Sequence, residues 1–515
     1  MNTSLDFKNG AASHSVNTSM MGFSGVAQTP QSLKLLEQTN PAEYKEYMKI
    51  KHSAEQFHSK GYEARKKGDY DSAIQHYTDA LGIMPQHFKA LFNRGFAFDK
   101  LGKFDQAIED YSRAIMIDPN NAYTFYNKGI SLDRKGDFDQ AIECFSKAIQ
   151  IEPTKADFFH NRGFAYRKKK QFDRAIQDYA KAIEIDPSHF KAYYNRAFCW
   201  DKLGEYQASE KDYQSAVKLQ PTNISALHHL GTIREKIGGD KLQEALENFN
   251  SVIEIDNRYA PSYNGRGLVW DRFNNFEEAI KDFTQAISID DKNPVYLHNR
   301  GCCYRNMGQL EKSISDFNNA IKLDDSNPII YANRGLVNRK IENFEGAIED
   351  YRLEIIHGPV DAQGQSTNIK AFNNRAYCLA KLQRYQEAIE DYSVVIRLDG
   401  SNIHALHNRG ISFERLSRYK EAVKDFSRVI QIDPRNANAY FNRGCCFDSI
   451  GEIDQAITDY SLALELDLRT GNEKSPRQPS EDKIVEQEQE ESIVVEQESP
   501  LPRTHEDVAN PYLQM

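Results

Sequence analysis

The sequence predicts an all-α protein, an α-solenoid of about twelve antiparallel helix pairs stacked along the chain. Three observations lead there. From Phe88 the chain falls into blocks of 34 residues with Gly at block position 8, Ala at 20, an aromatic at 24, Ala at 27 and often Pro at 32. The apolar residues of each block lie on two helical faces, 4, 8 and 11 on one and 20, 24 and 27 on the other. Positions 7 and 23 change together from copy to copy, Arg with Asp in nine blocks and neither in the other three.

The first 40 residues are polar, rich in Ser, Asn and Gly, and read as a disordered arm. Met1 to Gln31 holds no continuous apolar run that could serve as a signal-peptide core. Asn40 before Pro41, with Glu43 following, is a helix start, so residues 41–53 are expected to form a capping helix continuous with the first repeat.

The repeats follow at 54–87, 88–121, 122–155, 156–189, 190–223, 224–259, 260–293, 294–327, 328–368, 369–402, 403–436 and 437–468. In the second the marker residues are Gly95, Ala107, Tyr111, Ala114 and Pro119; the third has Gly129, Ala141, Phe145, Ala148 and Pro153. Small residues at 8 and 20 let two backbones approach, aromatics fill the space beside them, and Pro at 32 stops the second helix. Two repeats are long. The sixth carries two extra residues, placed in its inter-helix turn near 238–242, and the ninth carries seven, within 355–368. Both read as tolerated surface loops; the alternative is that they loosen the superhelix locally and divide it into three segments. Residues 469–515 hold eleven Asp/Glu against five Lys/Arg and five prolines, and read as an acidic disordered tail.

These marker residues resemble the tetratricopeptide repeat family, whose pattern places Gly, Ala, aromatic, Ala and Pro at these spacings. The resemblance covers Ala54 to about Leu468 and implies a right-handed superhelix with the first helices lining a concave groove. It also implies that positions 2, 5, 6, 9, 12 and 13 face a ligand.

Position 7 is Arg in Arg94, Arg162, Arg196, Arg266, Arg300, Arg334, Arg375, Arg409 and Arg443, and position 23 of the same repeats is Asp. The remaining repeats pair Lys60 with His76, Lys128 with Cys144 and Leu230 with Asn248. This matched variation predicts an ion pair between the two helices of a repeat, a packing feature and not an arginine ladder for an acidic ligand.

Position 6 is Asn in Asn93, Asn127, Asn161, Asn195, Asn299, Asn333, Asn374, Asn408 and Asn442. A row of amides offers donors and acceptors to the backbone of an extended peptide, similar to the asparagine ladder of O-linked N-acetylglucosamine transferases; bonding of each Asn within its own neighbourhood is the alternative. Phe92, Tyr126, His160 and Tyr194 at position 5 are expected to form an aromatic wall beside it. The family's terminal-carboxylate clamp needs Lys at position 5 and Arg at position 6, and this chain has neither.

A net charge of −10 argues against nucleic-acid binding, which needs a basic face to displace counterions. No stretch approaches a membrane span. Seven Cys without a Cys-x-x-Cys pair fit neither a disulfide scaffold nor a zinc module, and no catalytic, metal or cofactor motif is present. The expected function is a non-enzymatic scaffold that binds partner segments in its groove, within a multiprotein assembly of the cytoplasm. The Asn-Arg-Gly and Asp-aromatic subtype resembles repeat proteins of cilia and the cytoskeleton, which implies that setting. The rival readings are a regulatory or substrate-recruiting subunit of an enzyme such as a glycosyltransferase, and a co-chaperone-like adaptor. The partner's identity and the oligomeric state stay open.

Overall fold

A computed structural model describes residues 30–470, where all regular structure is helical apart from one isolated bridge between Val360 and Ser366. The polar arm up to residue 29 and the tail beyond residue 470 lie outside the described residues. Residues 30–40 are not part of a disordered arm: Pro30–Thr39 is a helix. Leu33 and Leu36, three apart, form its half-buried side, and the helix packs against the one that follows. Pro41 forces a break, because the residue before proline is driven out of helical conformation, and Asn40 sits at φ −144°. The next helix, Pro41–Lys66, begins with the Asn40 side chain accepting from the Glu43 amide.

The described residues fall into two units, 30–203 and 204–470. In each, a first helix packs on its own second helix and on the second helix of the repeat before it. Repeat 2 shows the plan, with Phe88–Lys100, a turn at 101–103, and Phe104–Ile117. The turn depends on position 15, which has positive φ in all twelve repeats. Seven of these are Gly; Lys170, Asn274, Glu342, Gln383 and Ser417 adopt the same left-handed conformation with a side chain attached. Most first helices start from an Asn cap, as at Asn121, whose side chain accepts from the Thr124 amide. Close approach of the two helices sets position 8: a Cβ on Gly129 would lie 2.6 Å from the Phe145 ring.

Eight of the expected Arg–Asp pairs lie within one unit, and all eight form. Arg162 donates from Nε to Asp178 Oδ2 at 2.8 Å and from Nη2 to Oδ1 at 2.7 Å, a two-pronged geometry that recurs at Arg94–Asp110 and Arg443–Asp459. The third nitrogen reaches the preceding repeat, Arg162 Nη1 to Ser146 Oγ at 3.0 Å and Arg266 Nη1 to Asn250 Oδ1 at 2.6 Å. Seven of the eight arginines tie together three helices in this way, while Arg375 makes, among the described residues, only the two bonds to Asp391. Burial pushes the Asp178 carboxyl up more than Arg162 pulls it down, so the pair fixes geometry more than it adds stability.

The two long repeats absorb their extra residues differently. In the sixth, the turn Gly238–Asp240 joins the helices Ile224–Ile237 and Lys241–Ile255. Gly238 keeps position 15, so the first helix receives no inserted residue; of the two extra residues between Gly238 and Ala245, one lies in the turn as expected and one lengthens the start of the second helix. With Leu230 at position 7, Arg234 one turn later takes over and donates to Asn248 at 2.7 Å. In the ninth, the second helix ends at His357 and the extra residues close on themselves, Thr367 N donating to Pro359 O at 3.0 Å and Asp361 N to Gln365 O at 2.8 Å. Beside this loop Glu354 occupies position 27, where other repeats carry Ala or Val, and accepts from Asn368 Nδ2 at 2.8 Å. Burial pushes its carboxyl up to about 7.

Two measurements test these roles. Arg162→Leu strands a buried carboxylate and should cost about 3–5 kcal/mol in urea denaturation, whereas Arg162→Leu with Asp178→Leu should cost less; a double variant as costly as the single would remove the pair from this role. Because Glu354 binds its proton more tightly when folded, its contribution is complete at low pH and is lost as pH rises from about 4.5 through about 7. Glu354→Gln should therefore gain on the wild type over that window, by up to about 3 kcal/mol, in thermal melts; parallel curves would contradict it.

Candidate functional site

The first-helix face is the expected binding surface, and its residues divide into those used in packing and those left available. The Asn row is mostly packing. Asn93, Asn161, Asn195, Asn299, Asn333, Asn408 and Asn442 are buried, and only Asn127 and Asn374 are half-buried. The buried amides point at position 5 of the preceding repeat, 35 residues earlier: Asn93 Nδ2 bonds His58 Nε2 at 3.0 Å, Asn161 bonds Tyr126 Oη at 2.7 Å, Asn195 bonds His160 at 3.1 Å and Asn442 bonds His407 at 3.3 Å. Asn333 bonds His298 Nε2 at 2.9 Å, and Asn299 bonds Asn264 Oδ1 at 2.9 Å.

The two half-buried residues follow the same logic. Asn127 comes 35 residues after Phe92, and Asn374 follows Ala332 of the preceding repeat; neither predecessor offers a polar atom. Asn127 instead donates to the Tyr123 carbonyl of its own helix at 2.8 Å. The continuous asparagine ladder expected on the groove is therefore an inter-repeat link, interrupted wherever position 5 is apolar.

Burial keeps the histidines of this link neutral. It lowers His58, His298 and His407 to about 4, which leaves one ring nitrogen of each as an acceptor for the Asn amide. Phe92, Tyr126, His160 and Tyr194 are likewise buried, so the expected aromatic wall is core. Phe92 meets Tyr111 at 5.7 Å and Tyr126 meets Phe158 at 4.7 Å between ring centroids, contacts that position 5 makes because it sits against the neighbouring helices.

The part of this face that reaches solvent is position 13, exposed or half-buried in every repeat, whereas positions 9 and 12, which the family resemblance also placed toward a ligand, are buried or half-buried in nearly all of them. Position 13 is Lys or Arg in ten repeats. Four residues after an aromatic at position 9, the cation lies over the ring: Lys66 over Tyr62 at 4.7 Å, Lys100 over Phe96 at 5.2 Å, Lys168 over Phe164 at 5.4 Å, Lys202 over Phe198 at 5.4 Å, and in the second unit Lys381 over Tyr377 at 5.3 Å. Position 12 is mixed. Asp99 accepts from Ser131 at 2.7 Å and pairs with Arg134, whereas Arg65 and Arg167 lie between rings.

One gap in the link creates a cavity. Position 6 of the seventh repeat is Gly265, where a Cβ would fall 2.5 Å from the Phe249 ring. His228, with no Asn partner there, bonds Ser262 Oγ at 3.0 Å through Nδ1. A space of about 40 Å³ remains, lined by His228, Thr232, Glu235, Phe249, Asn264 and Leu268 among others.

Cys199, Cys303, Cys378 and Cys446 are fully buried at position 10, and burial pushes the Cys199 thiol up to about 12. Among the described residues no cluster of His, Cys, Asp or Glu could hold a metal ion, and no helix is long and apolar enough to cross a membrane.

Models of the tetratricopeptide repeat match residues 88–121, 122–155, 156–189, 190–223, 404–436 and 437–467. Related models of the same repeat match 55–87, 260–293 and 369–402, with 283–315 and 303–341 overlapping them and extending the run. The chain belongs to the tetratricopeptide repeat family. The matched residues skip 224–259, the repeat whose arginine has moved from position 7 to Arg234. No curated protein matches this tetratricopeptide array.

Solved structures similar in fold include YrrB, described as a TPR protein with an unusual peptide-binding site (23% identity, 37% of this chain and 97% of that one, TM-score 0.34). Others are a tetratricopeptide repeat protein from Parabacteroides merdae (18%, 50% and 98%, 0.43) and yeast Tom70 (16%, 82% and 97%, 0.38). The tetratricopeptide fold supports a protein-interaction scaffold.

The two classes of asparagine should separate in thermal denaturation. Asn333→Ala removes the partner of both His298 and Arg305, bonded at 2.9 and 2.6 Å, and should destabilise by about 1–3 kcal/mol. Asn374→Ala should stay within about 0.5 kcal/mol of the wild type. Equal losses would refute the division.

Proposed function

We propose that this protein is a non-enzymatic scaffold that holds extended segments of partner proteins along the first-helix faces of its repeats, within a multiprotein assembly. The observation that supports this reading most is the repeated coupling of a position-9 ring to a position-13 cation on each unit. Such pairs set cations over ring faces at the same place in successive repeats, which suits a chain laid across several repeats more than a small molecule. Asn127 and Asn374, one in each unit, are the two amides of the row not wholly committed to packing.

The Asn-Arg-Gly and Asp-aromatic subtype does not carry a cellular location with it. Its arginine and aspartate form the helix-tying pair, and most of its asparagines form the inter-repeat link, so the subtype describes a packing solution.

A library of extended peptides displayed against the full chain tests the proposal. Asn127→Arg with Asn374→Arg places bulk and charge on the first-helix face of each unit, while Gln140→Arg with Gln386→Arg places them on exposed second-helix sites. The first pair should abolish or reselect the bound peptides and the second should leave them unchanged. Retention of the whole peptide set by the first variant, with its melting temperature intact, would overturn the reading.

A further inference from the structure

Arg167 is 5% exposed, and its Nε and Nη1 have no hydrogen-bond partner. It lies between two rings, 4.5 Å from the Phe164 centroid and 5.0 Å from that of Phe198. A buried guanidinium without a counter-charge is costly. The other arginines of this face show how the fold ordinarily meets that cost: Arg94 and Arg162 are held by Asp110 and Asp178, and Arg134 is paired with Asp99. Arg305, at the same repeat position as Arg167, donates to Asn333 Oδ1 at 2.6 Å. The corresponding acceptor for Arg167 is Asn195 Oδ1, 28 residues on as in that pair, and it too is buried and unbonded. Where repeats 8 and 9 carry Cys302 and Leu336 at position 9, repeats 4 and 5 carry Phe164 and Phe198, and the rings hold the guanidinium between them.

The same rings carry two further cations, Lys168 over Phe164 and Lys202 over Phe198, each 5.4 Å from the centroid. A ring face attracts a cation through its quadrupole. Arg167 and Lys168 thus stand on the same ring, with Lys202 on the next, in a chain whose net charge is −10.

We propose that the first-helix face of repeats 4 and 5 is a docking site for an acidic segment of a partner protein, whose Asp or Glu side chains are received by Arg167, Lys168 and Lys202 between Phe164 and Phe198. The proposal rests on the scaffold reading above and names the chemistry of the partner. An incoming carboxylate supplies the counter-charge that Arg167 lacks, and the rings pack against the aliphatic stems of the acidic side chains.

Fluorescence anisotropy with the full chain and two labelled peptides, one Glu-rich and one with every Glu replaced by Gln, tests this. The Glu peptide should bind at least about tenfold tighter, with an affinity that falls as salt rises. Lys168→Ala with Lys202→Ala, and separately Arg167→Met, should each weaken the Glu peptide several-fold and flatten the salt dependence. A purely structural Arg167 would lower the melting temperature and leave the salt dependence unchanged. Glu and Gln peptides binding equally, with both lost in Asn127→Arg, would overturn the acidic partner while the scaffold reading stands. Undiminished binding of the Glu peptide to the lysine double variant, or failure of the full chain to bind it, would overturn the site.

Discussion

The arginine at position 7 is the constraint on which the repeat depends. Its side chain meets an aspartate on the second helix of its own repeat and, through the third nitrogen, a hydroxyl or amide on the second helix of the repeat before. A planar fork with fixed donor directions can satisfy both only when the three helices hold one mutual orientation. Gly129 against Phe145 fixes the distance between helices, and the fork fixes their rotation. Once rotation is fixed, position 5 must face the next first helix, and position 13 is what remains toward solvent, with positions 9 and 12 largely covered beneath it. The sixth repeat shows how strongly this geometry is maintained: lacking the arginine at position 7, it brings Arg234 to Asn248 from one turn further along.

A second constraint follows from the first. Position 5 faces an adjoining repeat, so a polar side chain there is buried and must find a partner. Asn at position 6 of the following repeat supplies it, and neutral imidazoles at His58, His298 and His407 are the acceptors. Phe92 requires no such partner, and Asn127 correspondingly turns back to its own helix. The asparagine row is thus a set of pairwise solutions to burial, applied where needed.

Legibility in the sequence depends on where an interaction closes. Arg162 and Asp178 lie in one repeat, so aligning the copies is enough to show that the two positions change together. His160 and Asn195 lie in successive repeats, and an alignment of single repeats separates them into two unrelated columns. The same columns put Phe92, Tyr126, His160 and Tyr194 on a wall, since an amphipathic pattern gives a face but not what covers it. Gly238 and Gly239 announce the longer connection of the sixth repeat by composition, but not that one of its two extra residues joins the second helix, where continuing a ladder costs little. Lys170 and Gln383 adopt left-handed backbone without the glycine that would announce it. The helix at Pro30–Thr39 is obscured by the polar stretch before it.

The chemistry of the remaining surface follows from how charge is distributed within the fold. Residues 469–515 contribute −6 of the chain's −10, and the second helices carry an aspartate at position 23 in nine repeats, matched in each by an arginine at position 7. Some position-13 cations are answered by a position-12 carboxylate of the preceding repeat, Arg134 by Asp99 and Arg272 by Glu235. Aromatic residues at position 9 hold others, Lys168 and Lys202 among them, in place by quadrupole and packing, interactions that orient a charge without cancelling it. Arg167, Lys168 and Lys202 stand together in two repeats although the protein is acidic, so net charge alone, the quantity most easily read from the sequence, does not give the local sign of a surface.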